Sequence, residues 1–295
     1  MKATHAVEAL LARGLAAGLT AMDWRAAHRT GERLGDLART IGLRRRVAEE
    51  NLALAFPERD AAARAAILAE HYRELGRVVA EYPRHPEIVA ADGAPLLHAI
   101  RGREHLEAAR AAGRGVILLT GHYGNFELLG ALLGRMHPVD FIVKALSNPA
   151  MEAWLADLRQ RCGVGSIPLG TGLRAAFGAL RANRWVAMVA DQDARRHGVF
   201  VPFLGRPAST PTGPAELSLR TGAAIVMGFV SRIADGRLEL DIQPALPRPD
   251  GDGPAAVREL TARHTACLES WVRRHPAMWF WLHRRWKTAP PAEEC

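Results

Sequence analysis

Cysteine is scarce in this 295-residue chain. Cys162, Cys267 and Cys295 are far apart, odd in number and form no CxxC pair. That pattern argues against a disulfide framework and a structural zinc site, and a reducing cytoplasm fits it. No apolar run reaches about 18 uninterrupted residues, the usual minimum for a bilayer-spanning helix. The nearest candidate, Ala6 to Met22, carries Glu8 and Arg13 and is rich in Ala and Gly. It reads as a helix that either seeks a surface or docks on the core. A secretory signal with a clean apolar centre and cleavage site is missing. So are internal repeats, low-complexity blocks and a Ser nucleophile elbow. Disorder is expected only in the Pro-rich tail from Ala289 to Cys295.

Acidic residues are also in deficit. Asp and Glu number 31 against 39 Lys and Arg, giving a formal charge of +8 and a pI near 10.2. Such a balance favours an anionic partner: nucleic acid, acidic lipid, an acidic protein or a phosphorylated substrate. An Arg-rich soluble surface is the plainer alternative. Hydrophobic residues make up 48%, enough for a sizeable core.

Residues 1–82 read as a helical region, possible as a membrane-docking unit, and residues 83–295 as a catalytic domain. In the first, Leu34, Leu37, Ile41 and later Ile67, Leu68, Leu75, Val78 and Val79 recur at helical spacing. Pro57 breaks the pattern, and Asp60 is placed to cap the next helix. Helices then alternate with strands. Strands are expected at Val116–Thr120, Phe141–Val143, Trp185–Ala190, Ala224–Val230 and Leu238–Ile242. Helices are expected at Glu104–Ala112, Phe126–Met136, Met151–Arg161 and Pro214–Thr221. The fold class is therefore α/β, a mixed β-sheet flanked by helices on both faces, with a helical N-terminal region.

The chemistry concentrates in Thr120-Gly121-His122-Tyr123-Gly124-Asn125-Phe126-Glu127. Ligands in such sheets collect at the carboxyl ends of strands. His122 and Glu127 would diverge by about 140° on one continuous helix. They meet only if the chain turns between them, which Gly121 and Gly124 permit. Asn125 suits an N-cap, and Glu127 then falls in the helix's first turn. A carboxylate there is placed to hold one imidazole nitrogen and leave the other to take a proton from a hydroxyl. The alternative is a capped helix with an incidental histidine.

These residues resemble the His-x4-acid motif of the glycerolipid acyltransferase superfamily, in the form of its lipid A late acyltransferases, the lauroyl and myristoyl transferases. Four further segments resemble the same family in order. They are Phe141-Ile142-Val143-Lys144 with Asn148-Pro149; Asp191-Gln192-Asp193 with Gly198 through Pro207; Thr210 through Pro214 leading to Arg220-Thr221-Gly222-Ala223; and Trp279 through Lys287. Two features depart from the pattern. Lys144 stands where the family often has Arg, and the first apolar helix is weak.

The resemblance implies transfer of a fatty acyl group from an acyl thioester to a glycolipid hydroxyl. The donor would be acyl carrier protein or acyl-CoA, and the acceptor a lipid A precursor or relative. The setting would be the cytoplasmic face of the cell inner membrane, with peripheral or monotopic attachment. His122 would be the base, and Glu127 would orient and charge it. Lys144, Arg159, Arg161 and Arg206 would face phosphates, with Gly205 or Arg206 N–H groups meeting the oxyanion. No metal or cofactor is called for, and Asp191 and Asp193 read as loop-capping or cation-pairing groups. Four of seven tryptophans fall in Trp271–Lys287 beside five cations and no acid. That composition suits an anionic membrane interface, with core packing as the alternative. Other acceptors remain open: phosphatidylinositol mannoside, an ornithine lipid or an aryl polyene. So does a thioesterase. A basic nucleic-acid-binding module would leave the His122 loop unexplained, so no nucleic acid is expected.

Overall fold

The computed structural model describes residues 3–170 and 172–291, so Cys295 and the end of the Pro-rich tail lie outside it. Helices α1 (Ala3–Ala21), α2 (Trp24–Thr40), α3 (Arg45–Ala55) and α4 (Ala61–Glu81) come first. Pro57 lies in the break between α3 and α4, and Asp60 caps α4 by accepting the Ala63 N–H at 2.7 Å. After α5 (His85–Ala90) the chain alternates: β1 (Leu97–Arg101), α6 (Arg103–Ala111), β2 (Val116–Thr120), α7 (Phe126–Leu133), β3 (Val139–Val143), α8 (Pro149–Arg161), β4 (Gly165–Pro168), α9 (Leu173–Arg181) and β5 (Trp185–Val189). A hairpin of β6 (Val199–Phe203) and β7 (Arg206–Thr210) follows. Then come α10 (Gly213–Thr221), β8 (Ala224–Arg232), β9 (Leu238–Ala245) and α11 (Pro254–Arg274).

The main sheet has seven strands in the order β1-β9-β8-β2-β5-β3-β4. Only the β8–β9 pair is antiparallel. Strand β2 sits centrally, parallel to both β5 and β8. Its sequence Val-Ile-Leu-Leu is apolar throughout because both faces are covered. Ile117 and Leu119 enter the cluster that includes α4, α10 and α11 residues. Val116 and Leu118 enter the other, with α6 and α7. The expected fold class and all five expected strands are present. Strands β1, β4 and β7 and helices α5, α9 and α11 were not anticipated.

Contacts cross residue 82 freely. Leu52, Phe56, Leu68 and Tyr72 share one core with Ile117, Trp279 and Trp281. The N-terminal helices also clamp the last segment of the chain. Arg44 Nε donates to the Leu282 carbonyl at 2.7 Å, and Asn51 Nδ2 to those of Trp281 and His283 at 2.7 and 2.6 Å. Helix α1 docks on the core along one side only. It buries Ala9, Ala16 and Leu19 and leaves Val7, Leu10 and Leu11 exposed.

Candidate active site

The loop after β2 and the loop after β5 lie side by side. Thr120 pairs in register with Val189. Two residues beyond each stand His122 and Asp191. The Asp191 Oδ1 lies 2.6 Å from His122 Nδ1, and Oδ2 accepts the His122 backbone N–H at 2.7 Å. The Trp279 indole donates to Oδ2 at 2.8 Å. Asp191 is thus clamped from three directions, with a 3% exposed side chain against 27% for His122. A Cβ on Gly121 would come within 2.8 Å of Asp191 Oδ2, so glycine is what lets the carboxylate approach. Gly124 turns the chain with φ +53°, and its N–H donates to the Met278 carbonyl at 2.8 Å.

Burial alone would depress the His122 pKa. The charge and hydrogen bond of Asp191, with the Glu127 charge behind them, outweigh it and raise the value above 6.5. Burial would likewise raise the Asp191 carboxyl. The His122 charge, its two hydrogen bonds and the Trp279 indole bring it down to about 2 instead. The pair is an ionised carboxylate holding Nδ1, which leaves Nε2 with the Gln192 side-chain amide 3.4 Å away.

Glu127 does not hold the imidazole, contrary to the sequence expectation. Asn125 does cap α7, accepting the Leu128 N–H at 3.3 Å, and Glu127 sits in the first turn. Its carboxylate, however, takes a forked pair from Arg159, Nη2 to Oε1 at 2.8 Å and Nε to Oε2 at 3.1 Å. The Tyr82 hydroxyl donates to Oε2 at 2.5 Å. Burial and the Glu127 charge hold the Tyr82 hydroxyl well above its ordinary pKa, so it stays a donor. Glu81, one residue earlier, accepts from Asn125 Nδ2 at 2.8 Å and pairs with Arg232 at 2.7 Å. The end of α4 therefore fixes the start of α7.

His122, Glu127, Lys144 and Arg159 all line one cavity of about 540 Å³. Most of its wall is apolar, with Phe126 and Leu129 of α7 facing Leu118, Phe141 and Val226 of the sheet. Lys144 is exposed beside the likewise exposed Leu146. The other expected residues do not gather there. Arg161 is exposed and outside the lining, because its place on α8 points away from the Arg159 position. Gly205 and Arg206 form the exposed tip of the β6–β7 hairpin, also outside the lining.

The Trp/Arg segment is a core element, not a membrane-facing one. Trp271, Trp279 and Trp281 are buried, and so is Arg285. Trp271 is held by stacking on Phe229 at 4.9 Å, and the other two by ring packing together with hydrogen bonds. Trp281 Nε1 donates to the Pro276 carbonyl at 2.7 Å, and Trp279 packs edge-on against Trp281 at 4.6 Å. Phe280 N–H donates to the His122 carbonyl at 2.9 Å. The segment backs the histidine loop.

Sequence reasoning missed Asp191 as the imidazole's partner and Tyr82 as a ligand of Glu127. Matching strand ends were the available signal for Asp191: His122 and Asp191 each follow a buried strand by two residues.

A family model described as bacterial lipid A biosynthesis acyltransferase matches residues 2–288. The phosphatidylinositol mannoside acyltransferase of Mycobacterium tuberculosis (strain ATCC 25618 / H37Rv) is 33% identical over 192 residues, 63% of this chain. That match spans 59% of the relative, less than two thirds of its length. The lipid A biosynthesis palmitoleoyltransferase of Escherichia coli (strain K12) is 30% identical over 275 residues, 89% of this chain and 85% of that protein. The lauroyltransferase of the same strain is 28% identical over 270 residues, 89% and 86% of the two chains. With the family model covering nearly all of it, the chain belongs to the bacterial lipid A biosynthesis acyltransferase family.

Proposed function

We propose that this protein transfers a fatty acyl group from a carrier thioester to a hydroxyl of a lipid A precursor or related glycolipid. The observation that carries this reading is the His122–Asp191 pair at the wall of a large apolar cavity. Nε2 takes the acceptor hydroxyl's proton as its oxygen bonds to the thioester carbonyl carbon. The C–S bond then breaks, and the imidazolium returns the proton to the thiolate. Asp191 holds the tautomer and balances the imidazolium charge. The acyl chain lies among Leu118, Leu129, Phe141 and Val226. Lys144 meets a phosphate of donor or acceptor as a point charge. Glu127 acts at one remove, by fixing Arg159 and the first turn of α7.

The membrane reading rests on α1. Its Val7, Leu10 and Leu11 are exposed, as are Leu146 and Leu169 of the cavity lining. Asn148, two residues past Leu146, ties α1 to the start of α8: its amide donates to the His5 carbonyl at 2.9 Å and to Glu8 at 3.0 Å. Among the described residues no helix is long and apolar enough to cross a membrane. Peripheral docking at the cytoplasmic face of the inner membrane fits this surface and the +8 charge. Anionic vesicles should float the protein, and Leu10→Glu with Leu11→Glu should abolish flotation.

Purified protein should be offered acyl carrier protein and CoA thioesters, each with a lipid A precursor or a phosphatidylinositol mannoside. Mass spectrometry should find an acylated glycolipid that needs His122. Hydrolysis of the thioester with no acylated product, whatever acceptor is supplied, would replace the transferase with a thioesterase.

A further inference from the structure

A second, much smaller cavity touches Asp191. It measures about 10 Å³ and is lined by Thr120, Asp191, Phe203, His264, Leu268 and Arg285 among others. Three polar atoms of its wall are buried without a partner: Thr120 Oγ1, His264 Nε2 and Arg285 Nε. Buried polar groups are rarely left unpaired. A void of about this size is the least that holds one water molecule, provided polar groups surround it.

The terminal nitrogens of Arg285 have partners. Arg285 Nη1 donates to the Ser209 carbonyl at 2.5 Å, and Nη2 to Thr210 Oγ1 at 2.6 Å. Its guanidinium lies over the Phe203 ring at 5.3 Å. Only Nε is spare. Among the described residues no carboxylate pairs directly with this buried cation, and the acidic charges acting on it are those of Asp191 and Asp193. Burial pushes its pKa down to about 10, which leaves it charged at neutral pH. Burial, with the Arg285 charge, also pushes His264 down to about 3, so its imidazole is neutral there.

We propose that this cavity holds one ordered water molecule bridging Arg285 to Asp191, and that Arg285, Thr120 and His264 are thereby positioning residues for the His122–Asp191 pair. The donor and acceptor count closes. The water accepts from Arg285 Nε–H and from the Thr120 hydroxyl, and donates to Asp191 and to His264 Nε2. No hydrogen is left over and no wall atom stays unpaired. The bridge gives Arg285 its countercharge through one water molecule. It also tempers the pull of Asp191 on the imidazole proton, so that neutral His122 is available at lower pH than Asp191 alone would allow. The other charged groups around the pair are Glu127 and Arg159 from the α7–α8 side, and Asp193 and His283. None of them lines this cavity. The water site stands independently of the proposed activity; only its kinetic consequence rests on that reading.

The test is a crystal structure at about 1.5 Å together with NMR titration of the labelled His122 ring. The structure should place one water within about 2.7–3.2 Å of all four partners. The probe variants are Thr120→Val, which removes one donor at little change in size, and Thr120→Ser, which restores it. Arg285→Met removes the cation, but its buried place makes Thr120→Val the safer test of the two. Thr120→Val should raise the His122 midpoint by about half a pH unit, and Thr120→Ser should return it to the native value. An empty cavity in the native structure would overturn the water site. A His122 midpoint identical in folded Thr120→Val and native protein would overturn the positioning role. Both readouts hold even if no acyl transfer is found.

Discussion

Two carboxylates flank His122, and they are used in opposite ways. Glu127 is five residues away in sequence yet is held by Arg159 and Tyr82. Asp191 is 69 residues away and holds the ring itself. The difference follows from backbone geometry. Strand ends β2 and β5 are hydrogen-bonded neighbours, so groups two residues past each meet without further help. A side chain on the first turn of α7 must instead leave the loop and turn along the helix. It finds α8 and the end of α4 first. Proximity in sequence therefore identified the right loop but the wrong partner.

The largest effects should come from breaking the Asp191 side. His122→Ala should lower kcat/KM by about 10²–10⁴-fold, the scale of a positioned general base. Asp191→Asn should cost about 10²-fold or more by the same reasoning, because an amide can neither fix the tautomer nor balance the imidazolium. Both proteins should stay folded by circular dichroism. A soluble, folded His122→Ala enzyme with native turnover would end the proposed mechanism.

Breaking the Glu127 side should act through structure. Glu127→Gln leaves the Arg159 cation without its countercharge. Removing one partner of a fully buried pair costs about 3–5 kcal/mol. The cost here should be lower, since the side chains keep 11% and 16% exposure. A fall in melting temperature should accompany any loss of activity. Tyr82→Phe removes one hydrogen bond to a charged acceptor, worth about 1.5–3 kcal/mol, and should reproduce part of that fall. Native melting temperatures in both variants would mean that the Arg159–Glu127–Tyr82 cluster does not hold α7.

A third comparison sets His122 against the buried histidines. His71, His85 and His264 are pushed by burial down to about 4, 4 and 3. The unfolded chain binds protons at these sites below about 6.5 while the folded chain does not. Stability should be full above that pH and fall as pH drops toward 4. His122 has the opposite sign: its raised pKa contributes stability at low pH that is lost as pH rises through the folded value. Chemical denaturation from pH 8 to 4 should show net loss on acidification. Unchanged stability over that range would show that the three histidines are not buried neutral.

The smallest effect is expected at Arg206. It occupies an exposed hairpin tip outside the cavity, so Arg206→Ala should change kcat/KM less than about threefold. A large rise in KM would return it to the substrate path.

Much of this architecture was legible in the sequence. The run Val116–Thr120 announced a strand buried on both faces, and Asn125 announced the start of α7. The short edge strands β1 and β4 were not legible, because half their residues face solvent and their apolar signal is broken. The tryptophans of Trp271–Lys287 misled for a different reason. Composition alone does not distinguish an amphipathic ring at a bilayer from one whose N–H finds a buried acceptor. Trp279 found Asp191, and Trp281 found the Pro276 carbonyl. Those partners are 88 and five residues distant, and only the fold supplies the first.

The division of labour between the two carboxylates is most directly tested by the pH dependence of kcat/KM in Asp191→Asn and Glu127→Gln beside the native enzyme. The native acidic limb should lie above pH 6.5, because the raised His122 must lose its proton to act. In Asp191→Asn that limb should move to lower pH along with the fall in rate. In Glu127→Gln it should move much less, whatever the rate does. The reverse pattern, a large shift in Glu127→Gln and none in Asp191→Asn, would contradict the assignment of Asp191 as the partner of His122.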